Sequence, residues 1–572
     1  MALQSSTQDI MKRSIKYITY AGALAGLLLT TSCNDDFLER PPQDQISDAT
    51  FWKSKDDLSK ALNAVYSQLT REGIIYDDGS SDNAYAQYPW ESTATIVSAG
   101  TINTNSNAGW GYTGIRRANQ LIENADNIEM DAELRERFKA EARFLRTWFY
   151  WNMVLKFGDV PLVTSTLAAG EEDVARTPRK DVVDFLLSEL TAVAEVLPVM
   201  YGGGDSNEKG RVTKGAALAL KARILLNEAS PRFNTGGDAT KWKAAADAAQ
   251  EVMSLGYSLF KVNEESGKDL EDDYAKWVDF ADAEDERNFR LGLRSYEKLF
   301  QQQYEGNSEV ILDRQFIMQV DPQWHNTYLL PSVLNGWSSV TPTQDLVNAY
   351  GNYKTGGPAN ILTPEKRAEL YLNDDPAFAN EYKNRDPRFY ASILFNGNPW
   401  NALEDGYAFT WQIGGSNNSQ TGYNFRKLVD PQSRRENIES HANIILLRYA
   451  EILLTYAEAM NEFGGPDATV YAALNQIRER AGMPAVDESV YNTKESLREL
   501  IRNERRVELA LEGQRYMDIR RWEIAPQVMQ TIYDIRNRLV QARVWDDRLY
   551  LMPVPQAQID LSDNVLTQNT GY

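Results

Sequence analysis

Three apolar stripes at helical spacing, set end to end between residues 446 and 511, constrain this chain more than any other feature. Leu446, Tyr449, Ala450, Leu453, Ala457 and Met460 make the first. Val470, Leu474, Ile477 and Ala481 make the second, closed by Gly482 and Pro484. Leu497, Leu500, Ile501, Val507 and Leu511 make the third. Residues recurring at i, i+3, i+4 and i+7 share one helix face. The short connections turn each helix back on its predecessor, and alanines at contact positions let backbones approach. The expectation is a stack of helical hairpins of tetratricopeptide type, with degenerate repeats, since no clean period is visible.

Similar signals occur upstream. Ser54 and Asp57 are spaced as a capping box before Leu58, Leu62, Val65 and Leu69, a run that Gly73 is expected to end. Phe138, Ala142, Leu145, Phe149 and Leu155 mark a second helix, widened by Trp148 and Trp151 and stopped by Gly158. Residues 213–229 and 240–255 read as two Ala-rich helices. Strands are expected to be few and short, with Val310-Ile311-Leu312 and Tyr550-Leu551-Met552 as candidates. The fold class is therefore mainly α. The Gly202-Gly203-Gly204 run lacks a following Gly-Lys-Ser/Thr and reads as a surface turn rather than a phosphate loop.

Composition removes several chemistries. Cys33 is the one cysteine, so an internal disulfide, a Cys-rich zinc site and an iron–sulfur cluster are excluded. His325 and His441 are the two histidines; neither sits in a catalytic or metal-binding motif. With 60 Lys+Arg against 81 Asp+Glu the net charge is −21, the wrong sign for general nucleic-acid binding. No metal or other cofactor is expected. Asp77, Asp78 and Asp82 offer oxygens to Ca²⁺ only at an incomplete spacing. Glu504 and Glu508 lie on the apolar stripe of their helix; a structural ion-pair network, with Arg505, Arg515, Arg520 and Arg521 near in sequence, is favoured over an acid/base pair.

The first 33 residues read as an address. Lys12, Arg13 and Lys16 precede an apolar stretch, Ile18 to Leu29, that is too short to span a bilayer. Leucines and small residues then lead directly to Cys33, in the manner of a bacterial lipobox. Residues 1–32 are expected to be a signal peptide, Cys33 the lipidated residue, and 33–50 a tether with Pro41-Pro42. Asn34-Asp35-Asp36 is similar to an acidic surface-export signal.

Three loop-rich stretches carry aromatic, amide and acidic side chains together. The region from Gly73 to Trp110, without helical period, holds Asp77, Asp78, Asp82, Asn83, Tyr85, Tyr88 and Trp90. Residues 320–340 hold Trp324, Tyr328 and Trp337; residues 396–423 hold Asn396, Trp400, Tyr407, Trp411 and Tyr423. Long ordered loops in a folded domain usually have a function. A sugar has an apolar C–H face on which Trp and Tyr stack, and a hydroxyl rim that Asp, Asn and Arg bond.

Several long motifs, in order, resemble the SusD/RagB family of outer-membrane nutrient-binding lipoproteins. They are AEARFLRTWFYWNMVLKFGDVPLV (140–163), TPTQDLVNAY (341–350), RDPRFYASILFNG (385–397), TGYNFRKLVDP (421–431), LLRYAEILLTYAEAMNE (446–462), LNQIRERAGMP (474–484), IRNERRVELALEGQRYMDIRRW (501–522) and YLMPVPQAQIDLSDNVLTQNTGY (550–572). Leu511 stands where a Phe is common. The resemblance implies helical hairpins packed against an irregular ligand-binding half, with a SusD-like domain over 51–572 whose N-terminal portion runs to about 300 and whose C-terminal portion begins at about 301. It further implies a protein anchored by lipid on the outer face of the outer membrane, capping a SusC-like TonB-dependent barrel as a lid, with a glycan as ligand in most members and a peptide in a minority. Its pattern favours Asp82, Trp90, Trp324 and Trp337 as glycan contacts, with Trp411 behind them, and assigns no catalytic residue. A glycoside hydrolase is the remaining alternative; it would need an acid and a base facing one cleft, and no pair stands out.

Overall fold

The helices begin where the chain offers side-chain caps. In the computed structural model, which describes residues 51–201 and 208–572, Ser54 and Asp57 form the expected capping box of α1 (Lys55–Tyr66). This helix ends at Tyr66, and Gly73 opens a new short helix, α2 (Gly73–Gly79), rather than closing the first. After α3 (Thr113–Asn124), Asp131 accepts from the Leu134 amide at 2.8 Å and starts α4 (Ala132–Phe157), 26 residues long. Gly158 stops α4 at φ 73°, a left-handed conformation that favours glycine. α5 (Arg179–Val196), α6 (Lys214–Ala229, capped by Thr213) and α7 (Ala239–Met253) follow. A short helix, α8 (His325–Leu329), lies in the loop-rich region. The C-terminal helices are α9 (Tyr449–Gly464), α10 (Ala468–Arg480), α11 (Lys494–Glu508) and α12 (Gln514–Arg521).

These helices form one continuous stack. α3 packs on α4, α4 on α5, α5 on α6 and α6 on α7. α7 then packs on α9, almost two hundred residues later, and α9 on α10 and α11. Residues 254–448 leave the stack after α7, form the loop-rich half, and return beside it. The stacked faces are lined by Ala, Leu, Ile and Val, for example Ala245, Ala249, Val252, Leu453 and Ala457, all buried. The mainly helical expectation holds.

Strands are short and occur in four antiparallel pairs among the described residues. β1 (Ala84–Ala86) pairs with β3 (Val340–Pro342), β2 (Val310–Arg314) with β6 (Ile444–Arg448), β4 (Ile393–Leu394) with β5 (Asn424–Phe425), and β7 (Ile532–Tyr533) with β8 (Leu539–Gln541). The expected strand at Val310 is present. The one expected at Tyr550 is not: Tyr550 ends a 3₁₀ turn, and the Met552 amide bonds the Lys156 carbonyl at the end of α4 with no strand alongside. Leu446, read as the start of a helix, belongs to β6. That run is buried on both faces, so a period of 2 and a period of 3.6 look alike in sequence.

A buried ion network joins the two halves. Arg448 reaches Glu309, Glu508 and Glu512, each at 2.7 Å. Arg388 meets Glu504 at 2.6 Å and Glu508 at 2.8 Å, Arg480 pairs with Glu508 and Glu309, and Lys427 meets Glu512 at 2.6 Å. Burial alone would raise the Glu508 carboxyl, but Arg480, Arg448 and Arg388 hold it well below the usual carboxylate range. Glu504 and Glu508 are thus structural, as expected, but their partners are distant in sequence. The nearby arginines serve others: Arg505 and Arg521 meet Asp518 and Glu458, Arg515 meets Asp82, and Arg520 lies 3.6 Å over the Tyr516 ring.

Among the described residues, no helix is long and apolar enough to cross a membrane. The signal peptide, Cys33, the tether and the Gly202–Gly204 turn lie outside the described residues.

Candidate functional site

Strand register builds the site. Ala86 pairs with Val340, and the Gln87 amide donates to the Ser339 carbonyl. This places the chain that continues to Tyr88 and Trp90 beside the chain that carries Trp337. The Gln87 side chain locks the two by donating to the carbonyls of Trp337 (2.8 Å) and Ser338 (2.9 Å). On the other flank, the N-terminus of α8 is tied down where the Trp324 amide donates to Glu72 at 3.1 Å. α8 thereby holds Tyr328 against Trp337, ring centres 5.8 Å apart, and against Tyr76, 6.0 Å apart.

The turn that presents Trp337 depends on Gly336. A Cβ there would stand 2.0 Å from the Leu330 carbonyl oxygen. Close backbone approach of this kind admits only glycine.

Between these elements lies a cleft of about 750 Å³. Trp90, Tyr76 and Tyr328 give it aromatic walls; Glu72, Glu91, Asp77, Lys156 and Asn107 give it polar ones. Trp90 is 77% exposed and packs one side on Tyr88, ring centres 4.7 Å apart and 30° inclined. Trp324 is 43% exposed and Trp337 42%. Large aromatic surface left in water marks a binding face rather than a core. Tyr88 is fixed in turn by its hydroxyl, which donates to the Asn417 side chain at 2.9 Å. The Tyr76 hydroxyl donates to Glu91 at 2.7 Å, and burial followed by that carboxylate raises its pKa far above the usual phenol range.

Trp90 thus lines the cleft, Trp337 packs on its lining Tyr328, and Trp324 is tied through its amide to its lining Glu72, while two other candidates are separate from it. Asp82 is only 2% exposed, with both oxygens held by Arg515 and Arg506; its loop needs that anchor, and no oxygen faces the cleft. Trp411 is 6% exposed; its indole donates to the Ser419 carbonyl at 2.9 Å, and the Arg536 guanidinium lies 4.8 Å over its ring. Both side chains act as internal supports away from this cleft, and Trp411 borders a separate hollow with Gln420, Arg536 and Arg538.

Asp77, Asp78 and Asp82 also have different partners. Asp77 pairs with Lys156 at 3.3 Å, while Asp78 accepts from Asn83 at 3.2 Å and burial pushes its carboxyl up to about 7. Among the described residues, no group of His, Cys, Asp and Glu could hold a metal ion.

Sequence reasoning missed Glu72, Glu91, Tyr76 and Lys156. Their only signal was adjacency: Glu91 follows Trp90, and Glu72 and Tyr76 flank a glycine misread as a terminator.

Comparison with known proteins agrees with this architecture. Residues 296–572 match the model of the SusD family, and residues 36–226 match a model described as starch-binding associating with outer membrane. A SusD-like protein of Formosa agariphila is 26% identical over 96% of this chain and 98% of its own length. The crystal structure of a SusD-like protein from Bacteroides fragilis superposes with a TM-score of 0.75 at 29% identity, covering 93% of this chain and all of that one. A second B. fragilis structure, described as a SusD-like carbohydrate binding protein, gives 0.73 at 26% identity over 90% and 99%. The motifs, the helical stack and these matches along nearly the whole length converge: the chain belongs to the SusD family.

Proposed function

We propose that this protein is a cell-surface lipoprotein that captures glycan oligosaccharides in the Trp90–Tyr328 cleft and serves as the lid of a SusC-like TonB-dependent outer-membrane barrel. The observation that carries the reading is the solvent-facing Trp90 on a polar-lined cleft, with the exposed Trp324 and Trp337 joined to its lining residues Glu72 and Tyr328. Stacking on the rings takes the C–H face of a sugar, and the carboxylates, Asn107 and backbone groups take its hydroxyls. The description of a related B. fragilis structure as carbohydrate binding supports the same ligand class. The protein binds and delivers; it cuts no bond. Cys33 carries the lipid that holds it to the membrane.

Isothermal titration of the lipid-free protein against a panel of oligosaccharides and peptides tests the ligand. Saturable glycan binding that Trp90→Ala abolishes is expected; binding to peptides alone would overturn it. Release of reducing ends by the pure protein would defeat the non-catalytic part. Palmitate labelling lost in Cys33→Ala, and recovery of a barrel with the affinity-purified native protein, test the anchor and the partner.

A further inference from the structure

Charge in the cleft selects among glycans. The charged side chains that line it are Glu72, Asp77 and Glu91 against the single Lys156. Lys156 is matched by Asp77, 3.3 Å away. At the mouth, Arg71 lies between Glu72, at 3.4 Å, and Asp321, while Arg314 takes the other Asp321 oxygen at 2.8 Å. Lys156, Arg71 and Arg314 are therefore each committed to a carboxylate, and Arg520, buried behind the lining Tyr516, is turned to the backbone carbonyls of Tyr516 and Leu549. Among the described residues, no Lys or Arg pairs with Glu91. Its oxygens accept hydroxyl donors from Tyr76 at 2.7 Å and Ser339 at 3.1 Å, which orient the group without neutralising it.

An oriented carboxylate retains unused lone pairs. It can accept from uncharged hydroxyls, and it repels a second anion in a partly desolvated cleft. The chain-wide charge of −21 adds a field of the same sign. We infer that the cleft takes glycans whose units are uncharged and rejects units bearing carboxylate or sulfate; this rests on the glycan-binding reading above.

Affinity electrophoresis of the whole lipid-free protein uses matched polymers: laminarin and laminarin sulfate, pullulan and carboxymethyl-pullulan, hydroxyethyl-cellulose and carboxymethyl-cellulose. In a pair that binds, the charged member should be retarded at least about tenfold less, and the gap should narrow as salt rises, because screening shortens the repulsion. Glu91→Gln and Glu72→Gln should narrow it too, by improving binding of the charged member. A charged member that binds as well as or better than its neutral partner at low salt overturns the inference and leaves glycan capture standing. Failure of every polymer, neutral and charged, together with oligosaccharide titrations that show no heat, overturns glycan capture itself and the inference with it.

Discussion

Asp82 receives a two-pronged hydrogen bond from Arg515, Nε to Oδ1 at 2.8 Å and Nη2 to Oδ2 at 2.9 Å. Arg506 adds a third contact at 2.9 Å, so two neighbouring helices, α11 and α12, grip the loop that leads to Trp90. Burial alone would raise the Asp82 carboxyl; Arg506 and Arg515 outweigh it and hold the group well below its ordinary value. Removing the charge leaves buried guanidinium groups uncompensated, which costs about 3–5 kcal/mol. Asp82→Asn should lower the urea midpoint accordingly at pH 7. Because the folded pKa is depressed, this contribution is present above the unfolded carboxylate pKa, about 3.9, and fades as pH falls below it toward the folded value. The difference between wild type and variant should therefore shrink below about pH 4. Denaturation series at pH 7 and pH 3.5 check both.

The tryptophans should separate by function. Trp90→Ala and Trp324→Ala remove exposed rings and should leave stability within about 0.5 kcal/mol while abolishing or strongly weakening glycan binding. Trp411→Ala removes a buried ring and should cost about 3–5 kcal/mol of stability with affinity retained in the folded fraction. Calorimetry beside urea titration distinguishes the two patterns.

His325 should make the protein acid-sensitive. The side chain is buried at the start of α8, and burial lowers its pKa to about 3. Its neutral form is the folded form. Stability from this residue is full above the unfolded pKa, about 6.5, and is lost as pH falls from there toward the folded value, by up to about 1.4 kcal/mol per pH unit. In His325→Leu that slope should flatten by one proton between pH 6 and pH 4, as measured by unfolding at several pH values.

Gly336→Ala should disturb recognition from inside a turn. The added methyl meets the Leu330 carbonyl at 2.0 Å, so the turn must open and Trp337 must leave Tyr328. A loss of affinity at least as large as that of Trp337→Ala is expected, with a modest fall in stability; affinity unchanged from wild type would refute the role given to this turn.

Legibility in the sequence followed the range of the interactions involved. Ser54 with Asp57, and Gly158, act within a turn of their own position, and they marked helix ends correctly. Gly73 misled because glycine both ends and begins helices, and nothing local tells which. The helix stripe and its neighbouring arginines marked Glu504 and Glu508 as network members, but the cations are others: Arg388 and Arg448 arrive from the loop-rich half and Arg480 from α10, which only the fold reveals. Asp82 and Trp411 looked like ligand contacts because a polar loop composition is the same whether its side chains face solvent or each other. Trp90, Trp324 and Trp337 were named from loop composition and the family pattern; the β1–β3 register, which sets the Trp90 segment beside the one carrying Trp337, is invisible in either segment alone.

The jump from α7 to α9 carries a consequence for the history and synthesis of the molecule. Residues 254–448 depart and rejoin the frame at adjacent helices, so nearly two hundred residues behave as one insert with fixed ends. Its surface can be rewritten for new nutrients while the frame keeps its own contacts. During synthesis, α7 can pack on α6, but its face toward α9 has no mate until residue 449 emerges, so that face must be shielded until the whole insert has been made.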